Sequence, residues 1–345
     1  MPDMILLGAG ASRDADIPTA YDMSIKISEQ ITQFAAPYGD AGLFNKLKKF
    51  AFFVAGGMLL RQGSIGENPF YGVNVEELFQ ALQMLKEKNR LVISGLVTWH
   101  PEIEALWREK SGNSIKPYEQ FFQDLERLFA RALINLTNIT DPDTVSYLRP
   151  LRRPLSYQNK LVVATLNYDR SFEVMADANS QPYISVINDI TVLQQDHGLF
   201  LLKVHGSIDW QTEYTTSTPS APISIQTIRQ ATALEMAEQG YSPGIIFGAG
   251  NKLTAEGPYL ELLRAFQQEL AAATRLVVIG YSFADEHINE FIGRWLNADV
   301  THTLIIVDPG FPGANSFAQF LHSECSGRIT HISQPASTGL AVAFP

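Results

Sequence analysis

Asn167 and His205 each sit just beyond an apolar run, in Thr165-Leu166-Asn167-Tyr168-Asp169 and Lys203-Val204-His205-Gly206-Ser207. An imidazole titrates near neutral pH, so His205 suits a general base. The Asn167 carboxamide carries donor and acceptor together and can hold another amide or orient a water. Asp169 can pair with a second amide or a hydroxyl, and Gly206 leaves room for a ligand against the backbone. Each polar residue also has a structural reading: Asn167 and Asp169 as an Asx turn and helix cap, His205 as a core histidine. Among the chain's seven histidines, His205 is set apart by its place at a strand end.

Two glycine-bearing loops suit an anionic or sugar-like ligand. The first, Gly8-Ala9-Gly10-Ala11-Ser12, follows the run Met4–Leu7 directly. A glycine turn between a strand and a helix start lets backbone N–H groups approach and point at a phosphate. The usual dinucleotide fingerprint wants a third glycine where this chain has Arg13, and no second strand ends in an acidic residue about 20 positions on. A hydride-transferring dehydrogenase is therefore the least favoured reading. The second loop, Gly280-Tyr281-Ser282-Phe283-Ala284-Asp285, offers backbone donors and the Ser282 hydroxyl to a ribose or phosphate. Asp285 also reads as the N-cap of a following helix.

What must position these residues is legible as alternating elements. Strand-like runs cover Met4–Leu7, Leu161–Leu166, Tyr183–Ile187, Phe200–Val204, Gly244–Phe247, Arg275–Ile279 and Thr303–Val307, with a weaker one at Arg328–Ile332. Several are apolar on both faces, as in strands buried within a parallel sheet. Helical spacing of Leu260, Leu263, Phe266 and Leu270 fills Tyr259–Thr274. The pattern predicts an α/β fold: a Rossmann-like, doubly wound parallel sheet. The long interval after the first strand reads helical. Asn74 with Glu77 resembles a capping box opening Val75–Lys88, and Pro117 opens a second amphipathic helix. We expect residues 1–20 and 155–345 to form the sheet domain and 21–154 a helical module inserted after the first strand. The Thr-, Ser- and Pro-rich stretch 211–225 reads as a mobile loop.

Composition removes several classes of function. With 46% hydrophobic and 18% charged residues, the chain is too apolar for disorder. A net charge of −10 and no extended basic face argue against direct nucleic-acid binding. The short basic runs at Lys46–Lys49 and Arg149–Arg153 read as solvated surface. One cysteine, Cys325, supplies neither an intrachain disulfide nor a Cys-rich zinc site, so no metal is expected and a cytoplasmic setting fits. Met-Pro-Asp at the start lacks the basic region of a signal peptide. The apolar run Phe50–Leu60 is too short to span a bilayer.

Taken in order, the four segments resemble the sirtuin-like family of bacterial NAD-consuming anti-phage defence proteins. That family runs Gly-Ala-Gly-x-Ser, Thr-x-Asn-Tyr-Asp, Lys-x-His-Gly-Ser and Gly-Tyr-Ser-Phe-x-Asp, and all four lie between Gly8 and Asn289 here. The resemblance implies a Rossmann-like domain that takes NAD as substrate. Gly8, Ala9, Gly10 and Ser12 would line the pyrophosphate, and Asn167 and Asp169 the nicotinamide end. His205, followed by Gly206, would be the base. Gly280, Ser282 and Asp285 would line the ribose and phosphate side, and Asp308 an adenine pocket. Sirtuin deacylases carry a four-cysteine zinc module and a Gly-Ile-Pro-Asp-Phe-Arg loop; this chain has one cysteine and Asp16-Ile17-Pro18-Thr19-Ala20-Tyr21. The departure favours NAD hydrolysis to nicotinamide and ADP-ribose over deacylation. A non-catalytic module sensing NAD or ADP-ribose is the alternative. The resemblance also implies gating, through homo-oligomerisation or a separate partner such as a HerA-type ATPase or an Argonaute-type protein.

Overall fold

Asp3–Leu7 is buried at every position, so this strand must be covered on both faces. It forms β1. The computed structural model describes residues 3–33, 41–66, 72–86, 117–218, 221–238, 241, 243–246 and 257–345. Its further strands are β2 (Lys160–Thr165), β3 (Ile184–Val186), β4 (Gly198–Lys203), β5 (Gly206–Ser207), β6 (Trp210–Thr218), β7 (Ala221–Gln230), β8 (Gly244–Ile245), β9 (Arg275–Ile279), β10 (Thr303–Val307) and β11 (Ile329–Ile332). Among the described residues, seven of these make one sheet in the order β11-β10-β9-β1-β2-β4-β3. Every pairing in it is parallel. This is the expected Rossmann-like α/β sheet. Its build reverses between β1 and β9, because the chain adds strands on one side of β1 and later returns to the other. In open α/β sheets, ligands bind at the carboxyl ends beside such a switch point.

Alternation along each strand feeds two cores. Met4, Leu6, Val162, Ala164, Phe200, Leu202, Leu276 and Val278 face one layer. That layer holds Phe266 and Leu270 from helix Pro258–Ala272, with Ile292 and Trp295 from helix Glu286–Ala298. Ile5, Leu7, Leu161, Val163, Leu199, Leu201, Val277 and Ile279 face the other. There they meet Leu148 and Leu151 of a 3-10 segment, Pro142–Ser156, along with Phe172 and Met175 of helix Ser171–Ala178 and Leu340 of helix Ala336–Ala343. Covering both faces removes apolar strand surface from water at about 25 cal/mol per Å².

A third core lies apart from the sheet. It joins α1 (Ala20–Gln33), α2 (Ala41–Ser64), α3 (Val75–Lys86) and α4 (Pro117–Thr137). Phe50 meets Phe121 and Phe122 edge to face at 5.4 and 5.5 Å. Tyr168, Ile208 and Tyr241 belong to the same core, so the helices pack onto segments that follow β2, follow β5 and precede β8. The Asn74 side chain accepts from the Glu76 N–H at 2.8 Å, opening α3 where the capping pattern predicts it. Residues 87 and 88, expected in that helix, lie outside the described residues.

Two sequence expectations need correction. Residues 211–218 and 221–225 are no loop: β6 and β7 pair antiparallel from Trp210↔Gln230 to Thr218↔Ala221. Thr and Ile are β-branched and favour strands, a preference that the stretch's Ser and Pro content masked. Asn188 fixes the hairpin's base, accepting from Ile228 N at 2.7 Å and donating to Ile228 O at 2.6 Å. The first part of the run Gly244–Phe247 is likewise outside the parallel sheet. Its Gly244–Ile245 part pairs antiparallel with β5, and Phe247 lies outside the described residues.

One buried ion pair anchors the end of β4. Lys203 is wholly buried and meets Glu173 Oε1 at 2.8 Å, while also donating to the Asp169 carbonyl. Burial pushes the Glu173 carboxyl above its ordinary range, and Lys203 opposes that. Lys203→Met should therefore cost about 3–5 kcal/mol by leaving a buried carboxylate unpaired. With the native carboxyl pKa raised further, the folded state binds the proton more tightly than the unfolded chain. The variant's stability should then fall as pH rises through the carboxylate range. Urea unfolding across pH checks both, and an unchanged midpoint at neutral pH would contradict them.

Candidate active site

The glycine loop and the Gly280 loop meet backbone to backbone at the β1–β9 switch point. Gly8 N donates to Ile279 O at 2.9 Å, and Gly10 N donates to Gly280 O at 2.8 Å. Gly280 has φ +60°, and a Cβ there would stand 2.1 Å from Ala11 N. A Cβ on Gly8 would stand 2.6 Å from Gly280 O. These glycines are thus required by the chain's own close approach. After the loop, Ala9–Ala15 forms a 3-10 turn. Ala9 is exposed, Gly10 half-buried and Ser12 buried.

Asn167 ties the β2 loop to this contact. Its Nδ2 donates to Gly8 O at 2.9 Å and to Ser12 Oγ at 3.0 Å, and Ser171 Oγ donates to Ser12 Oγ at 3.2 Å. The geometry leaves Oδ1 as the atom of this amide able to accept from a ligand or water. Thr165 is in register with Lys203, so Asn167 and His205 each stand two residues past a paired position on adjacent strands. Asp169 turns inward: its Oδ1 accepts from Ser171 N at 2.8 Å in an Asx turn that opens the following helix.

His205 is buried, and its Nε2 lies 3.2 Å from Asp285 Oδ2. The two side chains line a small cleft with Val204, Ile246, Tyr259 and His287. Tyr168 and Tyr281 stand near Asp285, and burial first, then neighbouring carboxylates, raises both phenols above their ordinary range. Burial likewise raises Tyr259. These hydroxyls remain protonated donors.

The structure brings Gly8, Gly10, Ser12, Asn167 and Gly280 into one network, and His205 and Asp285 into another. Gly206 differs from its expected use: φ is +84°, and the space a Cβ would fill is occupied by the Gly244 carbonyl of the β5–β8 pair. Ser282 is exposed. Asp308, at the end of β10, accepts from Gly310 N at 2.6 Å, and burial raises its carboxyl. Sequence reasoning passed over Ser171, His287, Tyr168 and Tyr147, whose hydroxyl donates to Ala11 O at 2.7 Å. Tyr147 lies in a stretch with no strand or glycine-loop signal, so nothing local marked it. Tyr168 stood inside a quoted motif and its burial was the missing clue.

Residues 161–325 match the model of the SIR2-like domain family. The match takes in Asn167, His205 and Asp285, and the glycine loop precedes it. Similar solved structures include Sir2Tm bound to a propionylated peptide, at 11% identity and TM-score 0.41, covering 99% of this chain and 91% of that one. A Sir2–p53 peptide–NAD+ complex aligns at 12% identity and TM-score 0.39, covering 99% and 91%. A Sir2 homologue–NAD complex aligns at 13% identity and TM-score 0.40, covering 99% and 90%. No curated protein sequence matches the chain.

The glycine contact gives a direct test. Gly280→Ala adds a side chain 2.1 Å from backbone at a left-handed φ. The loss should exceed the roughly 1–2 kcal/mol of left-handed strain alone. Gly327→Ala, where an added Cβ meets nothing within 4 Å, should stay within about 0.5 kcal/mol of the parent. Thermal unfolding of the two variants would show comparable shifts if the contact were dispensable.

Proposed function

We propose, starting from the SIR2-like domain over residues 161–325, that this chain hydrolyses NAD+ at the nicotinamide–ribose bond. The observation that carries the reading is the placement of Asn167 and His205 at the carboxyl ends of adjacent strands, beside the β1–β9 switch point. A phosphate-bearing ligand lying over the glycine loop would bring its reacting end to that pair.

In the reaction, the bond from the ribose anomeric carbon to the pyridinium nitrogen breaks and its electron pair stays with nicotinamide. The sugar carbon becomes oxocarbenium-like. Water forms the new carbon–oxygen bond, and its proton passes to His205. Asn167 Oδ1 orients the water or the carboxamide. The walls of the cleft, Val204, Ile246, Tyr259 and Ile288, keep bulk solvent from the charge that develops. Hydrolysis without control would drain the cell's own NAD. We therefore include gating by assembly or by a partner, and a defence role for the released activity.

His205→Ala should lower nicotinamide release by about 10²–10⁴-fold in protein that still unfolds cooperatively. Asn167→Ala should lower it as well, and also loosen the glycine loop. Chromatographic measurement of nicotinamide from NAD and the purified variants tests this. Release from His205→Ala at the parental rate would overturn the assignment, and binding of NAD by the parent without release under every condition tried, with and without partner, would favour a sensor.

A further inference from the structure

We infer that Asp285 is a positioning residue for His205, fixing which ring nitrogen carries the proton, and is not a ligand for the ribose. The inference rests on the reading of His205 as the general base. Asp285 is the N-cap of the helix Glu286–Ala298, and its Oδ1 accepts from His287 N at 3.2 Å and from Ile288 N at 3.4 Å. That grip sets the plane of the carboxylate and turns Oδ2 toward His205 Nε2, 3.2 Å away. The backbone of Asp285 is held too, since its N–H donates to Tyr281 Oη at 3.2 Å. Both side chains are nearly sealed from solvent, at 6% and 7% exposure.

The helix N-terminus favours the ionised carboxylate, which can only accept hydrogen bonds. A neutral imidazole facing it carries its proton on Nε2. The reverse tautomer would set two lone pairs against each other in a dry site. Nδ1 is then the proton acceptor, and the imidazolium formed on proton uptake is stabilised by Asp285. This assigns one acidic residue two tasks, capping a helix with one oxygen and orienting a base with the other. A ribose ligand would have to displace one of them.

Asp285→Asn separates the tasks. Asn caps a helix about as well as Asp, so the fold should be kept. Its amide N–H₂ in place of Oδ2 would drive the His205 proton to Nδ1. Nitrogen-15 NMR of the imidazole, followed up a pH series to the plateau of the neutral ring, reads this directly. The parent should show a protonated Nε2 and the variant a protonated Nδ1. The turnover number for nicotinamide release should fall about 10²–10⁴-fold with the dissociation constant for NAD unchanged. A parental ring protonated on Nδ1 would overturn the inference. So would a variant that weakens NAD binding while keeping its turnover number. The ring nitrogens are read without turnover, so the Asp285–His205 relation is tested even if the protein leaves NAD intact, which would sink only the hydrolase reading.

Discussion

Everything at the strand ends depends on two backbones touching where no side chain fits. Gly8, Gly10 and Gly280 bring the loop after β1 against the loop after β9, with a would-be Gly280 Cβ only 2.1 Å from Ala11 N. Because the sheet reverses its build between those strands, this contact spans the switch point between its two halves. A second link extends it sideways. The Asn167 amide donates into both Gly8 O and Ser12 Oγ, so the β2 loop is registered against the same turn. Buried donors left without these acceptors would cost about 1–3 kcal/mol each, which makes the arrangement self-enforcing.

His205 is held by separate means. Lys203, at the end of β4, is locked by Glu173 and the Asp169 carbonyl, two residues before His205. From the far side, the cap of the helix Glu286–Ala298 aims a carboxylate at the imidazole. The helical core of α1–α4 then rests on Tyr168, Ile208 and Tyr241, next to both networks. Tyr168 Oη reaches Glu76 in α3 at 2.6 Å. The helical core is therefore in direct contact with the residues that follow the strand ends.

Much of the sheet was legible because buried parallel strands write their own signature. Leu161-Val162-Val163-Ala164 and Leu276-Val277-Val278-Ile279 are apolar at successive positions, which a half-exposed strand does not tolerate. Their carboxyl ends, and hence Asn167, His205 and the Gly280 loop, followed from the same runs. Pairings between distant segments were not legible. The 211–225 hairpin was hidden because its strands gain stability from each other and from Asn188, not from an apolar run. Gly206 read as open space, since nothing local announces that Gly244 lies against it. Asp285 read as a cap and a ligand candidate; that its second oxygen faces an imidazole 80 positions earlier is a fact of the fold alone.

Proton NMR of NAD mixed with the purified chain, with no acylated peptide present, addresses the bond itself. Free nicotinamide and ADP-ribose signals should grow together at the expense of NAD, at equal rates. NAD that binds the protein yet stays intact at every protein concentration and with every partner tried would contradict hydrolysis at this site.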